Sequence, residues 1–113
     1  MLKKQNQLTK DKEFDNVFKN GKSSYDKVIG VKVIANNLND SRVGILVSTK
    51  ISKKAVERNR LKRQIREVIR LDLEAIKPGY DFIVITLAPI LGKTSQEITK
   101  SIHNHFKKLK LYK

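Results

Sequence analysis

KISKKAVERNRLKRQIREVIR, residues 50–70, decides how the rest of the chain is read. It holds five of the six arginines: Arg58, Arg60, Arg63, Arg66 and Arg70. With Lys50, Lys53, Lys54 and Lys62 it carries nine cations against Glu57 and Glu67, a net +7 in 21 residues and half of the chain's formal +14. Arginine is concentrated here, and its planar fork of donors suits phosphates and base edges better than an ammonium does. On a helical projection with Ala55 at zero, Leu61, Ile65, Val68, Ile69 and Ile76 fall between about 220° and 320°, while Arg60, Arg63, Arg66 and Arg70 fall between about 20° and 140°. One side is therefore expected to dock on a sheet and the other to present a ladder of guanidinium groups. Arg58 lands at about 300°, inside the apolar arc, and Lys62 at about 340°, at its edge. Charges are rarely buried unpaired, so the first two turns are expected to project beyond the sheet.

The helix is read from Ser52 to about Ile76, with Lys77-Pro78-Gly79 as its stop. Lys53 and Lys54 then fall in the first turn, where the macrodipole already presents positive charge, at a cost of roughly a few tenths of a kcal/mol each. Such a start is unfavourable alone and well suited to a phosphate. Asn59, between two arginines, adds a side chain that can donate and accept. Together these features favour a polyanion site over an ordinary solvated face. A basic zipper on DNA would need heptads after the basic region, and Pro78-Gly79 ends the helix first.

Residues 1–8 are polar, basic and expected to be loose. Thr9 is read as a cap, with Phe14, Val17 and Phe18 forming the apolar stripe of a short helix that ends at Gly21. GKSSYDK is a polar connection or a short edge strand. Lys27–Ala35 is rich in β-branched residues and reads as a strand, with Gly30 marking a bulge or a close backbone approach. NNLND is turn material, and Arg42–Ser48 is a second strand, expected to pair with the first as an antiparallel hairpin. Asp81–Leu87 is a nearly continuous apolar strand of the kind buried on both faces. Thr94 and Glu97 have capping-box spacing, and Ile98, Ile102, Phe106 and Leu109 give the last helix its stripe. The order specifies one α+β domain over residues 1–113, with helices packed on a small sheet.

The 113-residue chain has 39% hydrophobic residues and no cysteine, so disulfides and thiolate zinc sites are excluded. The basic excess points to nucleic acid before membrane. No apolar run approaches the ~18 residues of a membrane span, and the N-terminus lacks a signal-peptide core, so a soluble, cytoplasmic protein is expected. Metal-assisted phosphodiester cleavage needs clustered carboxylates, and the eleven acids are scattered. Asp11, Glu13 and Asp15 do not share one helix face. His103 and His105 point apart and are read as solvated or partly packed. No glycine-rich phosphate loop or nucleophile–base pair is evident.

Ala55-Val56-Glu57-Arg58-Asn59-Arg60-Leu61-Lys62-Arg63, followed by Arg66 and Glu67, resembles the arginine-asparagine-arginine signature of the bacterial ribonuclease P protein subunit. The likeness extends over nearly the whole chain. It includes Phe18-Lys19-Asn20-Gly21, Arg42-Val43-Gly44 leading to Val47-Ser48, the strand Asp81 to Ile85 with Pro89, and the closing helix. The resemblance implies an α-β-β-β-α-β-α sandwich, shared with a domain of a ribosomal protein. Its four-stranded sheet would carry the long helix in a left-handed βαβ crossover, against the usual hand. It implies a subunit of the ribonucleoprotein that removes the 5′ leader of precursor tRNA, with magnesium-dependent hydrolysis by the RNA subunit and no catalytic residue in the protein; no metal-binding residue is assigned, and the sequence does not reveal whether the protein holds a magnesium ion.

In that family the basic helix faces the catalytic RNA, which assigns Lys53, Lys54, Arg58, Asn59, Arg60, Lys62, Arg63, Arg66 and Arg70 to RNA-subunit binding. The single-stranded leader lies in a cleft between the first helix and the sheet. That assigns Phe14, Phe18, Lys32, Arg42 and Lys50 to leader binding, with base stacking on the rings. The resemblance implies one protein per RNA and leaves dimerisation of the holoenzyme open. Three positions depart from the family pattern: Lys32 replaces a frequent aromatic, Thr49 a frequent lysine, and Leu87 a frequent arginine. The alternatives are a structured-RNA-binding protein without a processing role, a stand-alone nuclease, and a membrane-surface protein; the buried type of strand 81–87 opposes the last.

Overall fold

A computed structural model describes residues 2–113. Its elements are α1 (Asp11–Asn20), β1 (Lys22–Tyr25), β2 (Ile29–Ala35), β3 (Arg42–Leu46), α2 (Ala55–Asp72), β4 (Tyr80–Thr86) and α3 (Ser95–Lys108), an α-β-β-β-α-β-α order. The strands form one mixed sheet in the order β1-β2-β4-β3. β2 pairs antiparallel with both β1 and β4, while β3 pairs parallel with β4.

The expected hairpin between residues 27–35 and 42–48 is therefore corrected. β4 lies between those strands, because the most apolar strand needs a neighbour on each edge and cover on each face. Asp81, Phe82, Ile83 and Val84 are all buried. α2 thus links two parallel neighbours, β3 and β4.

Alternation along the strands divides the interior in two. Val31, Val33, Val43, Phe82 and Val84 face α2 and α3, meeting Leu61, Ile65, Ile69, Ile98, Ile102 and Phe106 in the larger core. Phe82 and Phe106 meet edge to face with centroids 5.3 Å apart. On the opposite face Ile83 packs with Leu8 and Val17 and with partly buried Phe14, Ile34, Leu46 and Ile85, beneath α1.

The N-terminal segment is not loose. Leu2, Asn6 and Leu8 are buried, Lys4–Asn6 form a 3-10 turn, and the Leu8 N–H donates to the Val43 carbonyl at 2.9 Å. Residue 1 lies outside the described residues. Nor is Thr9 the cap: α1 starts one residue later, with the Glu13 carboxylate accepting from the Lys10 N–H at 3.1 Å. The capping box at Thr94 and Glu97 forms as expected, its Glu97 N–H donating to Thr94 Oγ1 at 3.2 Å.

Candidate nucleic-acid interface

α2 begins three residues later than expected. Lys54 is its N-cap and supplies no side-chain acceptor, so Lys53 and Lys54 stand at the mouth of the helix rather than in its first turn. Ser52 instead organises the approach: its Oγ accepts from the Lys54 N–H at 3.1 Å and donates to Glu57 Oε1 at 2.6 Å. α2 is continued only by a 3-10 turn over Leu73–Ala75, ahead of Gly79 at φ +90°.

The docked side follows the projection, with Leu61, Ile65 and Ile69 buried. On the outer side Asn59, Arg60, Arg63 and Arg70 are exposed and Arg66 is half-buried. Among the described residues, Lys53, Lys54, Arg58, Arg60, Lys62, Arg63 and Arg66 make no ion pair, whereas Arg70 grips Glu67 through Nη2 and Nε at 2.5 and 3.0 Å. Repulsion among the remaining cations is left to solvent or a polyanion.

The expectation that two full turns stand clear of the sheet is too broad. Ala55 and Val56 are exposed, but Leu61 is buried, and Arg58 and Lys62 are half-buried. Arg58 resolves its position in the apolar arc by folding back, Nη1 donating to the Ser52 carbonyl at 3.0 Å. It therefore fixes the loop that leads into the ladder.

The second surface lies between α1 and the sheet. Phe14 is half-buried and its ring occupies the space above Gly44, where an added Cβ would come within 2.5 Å of Cε1. Phe18, one turn on, is 40% exposed, and Lys32 on β2 holds its Nζ 5.6 Å from that ring's centroid, within cation–π range. The two phenylalanines thus divide the work: Phe14 seats the helix and Phe18 offers a ring face. Lys50 and Thr49 are exposed in the turn from β3 to α2, and Leu87 bonds through its N–H to the Val28 carbonyl at 2.9 Å.

Arg42, expected to contact the leader, is engaged within the protein. Its guanidinium binds Asp81 in a two-pronged pair, Nε to Oδ1 at 2.8 Å and Nη2 to Oδ2 at 2.6 Å, while Nη1 reaches Glu13. Asp81 is buried, and Asn36 Nδ2 also donates to its Oδ1 at 2.8 Å. Burial pushes the Glu13 carboxyl up, but N–H donors from Lys10 and Thr9 and the charge of Arg42 outweigh it and hold it below its ordinary value. Arg42 therefore ties α1 to β3 and β4 and leaves little of its fork for a phosphate.

His105, expected to be solvated or partly packed, is fully buried, with Nδ1 2.8 Å from Ser24 Oγ and Nε2 3.0 Å from Asp26 Oδ2, the latter off the line of a good hydrogen bond. A serine–histidine–aspartate sequence of contacts therefore exists where no nucleophile–base pair was read. It closes the seam between β1 and α3, and the enclosed imidazole leaves no space for a substrate. His103 stays half-exposed beside Asp72 at 3.4 Å. Among the described residues no three His, Asp or Glu side chains are grouped to hold a metal, and no helix is long and apolar enough to cross a membrane.

A basic helix and an exposed ring beside a lysine thus lie on opposite faces of one small sheet, the surfaces expected of a polyanion-binding α+β domain. The ribonuclease P family model matches residues 2–110, and the chain belongs to that family, whose members are protein components of a tRNA-processing nuclease. The ribonuclease P protein component of Clostridioides difficile (strain 630) is 43% identical over 102 residues, covering 89% of each chain. That of Clostridium kluyveri is 40% identical over 108 residues, covering 94% of this chain and 96% of the relative. The crystallised Staphylococcus aureus RNase P protein superposes with a TM-score of 0.86 at 31% identity, covering 96% of this chain and 98% of that one. The Thermotoga maritima protein gives 0.79 at 30% identity, covering 87% and 92%.

Proposed function

We propose that this protein docks through α2 on a ribonuclease P catalytic RNA and holds the single-stranded 5′ leader of precursor tRNA in the cleft between α1 and the sheet. The observation that carries this reading is the separation of two chemistries. α2 presents the guanidinium groups of Arg60, Arg63 and Arg66 with no acidic partner among the described residues, and the cleft presents an exposed ring beside a cation, with its own arginine already neutralised.

Lys53, Lys54, Asn59, Arg60, Lys62, Arg63 and Arg66 contact the RNA subunit, Arg58 orders the entry loop, and Arg70 contributes when Glu67 yields it. Phe18 stacks a leader base, Lys32 and Lys50 meet its phosphates, and Phe14 and Arg42 hold α1 in place. Hydrolysis belongs to the RNA and its magnesium ions, and the protein raises affinity for precursor over mature product. The assembly contains one protein per RNA and works in the cytoplasm.

The test incubates precursor tRNA at low magnesium with protein alone, with a bacterial ribonuclease P RNA alone, and with both. Cleavage that needs both supports the proposal. Cleavage by protein alone contradicts it, and RNA binding with no effect on cleavage points to a structured-RNA-binding role instead.

A further inference from the structure

Tyr25 ends β1 on the cleft face of the sheet. The register pairs Tyr25 with Gly30 and Ser23 with Lys32. Residues 30, 32 and 34 of β2 share the face opposite Ile29, Val31 and Val33, which lie in the larger core. Gly30 has no side chain, and the Tyr25 ring lies in its place: a Cβ there would sit 2.1 Å from Cε1 and 2.2 Å from Cδ1. The tyrosine nevertheless remains 48% exposed. It rests on backbone and offers its surface to solvent two strand positions from Lys32, whose ammonium reaches toward Phe18.

The residues on either side of Tyr25 are fixed from behind the sheet. Ser24 contacts buried His105, and Asp26 accepts from Ser101 Oγ at 2.5 Å and from the N–H groups of Val28 and Ile29 at 2.7 and 2.8 Å. An edge strand with one pairing partner is otherwise prone to fray. These contacts hold the strand, and so the ring, in one place.

We infer that Tyr25 is a second stacking platform, taking a different leader base from Phe18, with Lys32 between them facing the intervening phosphate. His105 is a positioning residue for that platform. The inference rests on the leader-binding reading above.

The experiment uses holoenzyme reconstituted with a ribonuclease P RNA. Precursor tRNAs carry, at successive leader positions, a fluorescent purine analogue quenched by stacking. Tyr25→Leu is expected to relieve quenching at one nucleotide and weaken precursor binding about tenfold, with mature tRNA binding unchanged. Tyr25→Phe keeps both properties, and Phe18→Leu relieves quenching at a different nucleotide. If Phe18→Leu changes a leader signal and Tyr25→Leu changes none, the Tyr25 assignment is wrong and leader binding stands. If neither variant changes any signal, the leader reading fails with it. If Tyr25→Leu releases every position equally and lowers the melting temperature, the ring is a cover for Gly30 and the inference is overturned.

Discussion

The outer face of α2 and the cleft under α1 are both basic, but they handle charge in opposite ways. On α2 the guanidinium groups of Arg60, Arg63 and Arg66 have no acidic partner among the described residues, and the helix starts without a side-chain cap. In the cleft Arg42 is held by two acids, and what remains open is an aromatic ring with a lysine beside it. Unpaired surface charge gives long-range attraction that salt weakens. A stacking ring gives short-range affinity that salt hardly touches. The difference suits one surface to a large folded RNA and the other to a few flexible nucleotides.

The largest effect that sharpens this contrast is on stability. Arg42→Ala leaves the buried Asp81 carboxylate with Asn36 but no counter-charge, at an expected cost of about 3–5 kcal/mol. Arg63→Ala, exposed and unpaired, should change stability by no more than about 0.5 kcal/mol. Urea unfolding of both variants checks this, and equal losses would break the distinction between a structural and a presented arginine.

Salt dependence comes next. Arg58→Ala with Arg60→Ala should weaken binding to the RNA subunit and lower the slope of log affinity against log salt by between about one and two. Phe18→Ala should leave that slope unchanged.

The smallest effect is with pH. In the Asp26 carboxyl, burial raises the pKa, but hydrogen bonds from Ser101 and from the Ile29 and Val28 N–H groups, with nearby His105, outweigh it and lower it. Glu13 is lowered in the same sense. The stabilisation both carboxylates give is complete above their ordinary values of 3.8 and 4.5 and is lost as pH falls through the lower folded values. Acid should therefore loosen the attachments of β1 and α1 before the α2 core. Amide exchange followed downward from pH 5 tests this, and Asp26→Asn should reduce the acid sensitivity of β1.

Much of the fold could be read in the chain, because periodicity and caps are local signals. The final helix is capped by Thr94 as its spacing required, and the buried face of α2 follows the projection. Strand order could not be read from a connection length, since a short link suggests a hairpin and says nothing of a later strand inserting. The continuous apolar run of β4 carried the information, as such a strand belongs in the middle of a sheet. The polar N-terminal segment concealed Leu2 and Leu8, two anchors too far apart to show a period. Arg42 was legible as a cation but not as a partner of Glu13 and Asp81, which lie 29 and 39 residues away in sequence. Tyr25 was obscured by the polar run KSSY, and its place depends on register with Gly30.

The most direct test of the two-surface account compares holoenzymes carrying Phe18→Leu or Arg60→Ala with Arg63→Ala. RNA-subunit affinity and the preference for precursor over mature tRNA are both measured. Phe18→Leu should reduce the preference and leave RNA-subunit affinity unchanged. The double arginine variant should reduce RNA-subunit affinity and, once saturated with RNA, keep the preference. Equal loss of one property in both variants would contradict the account.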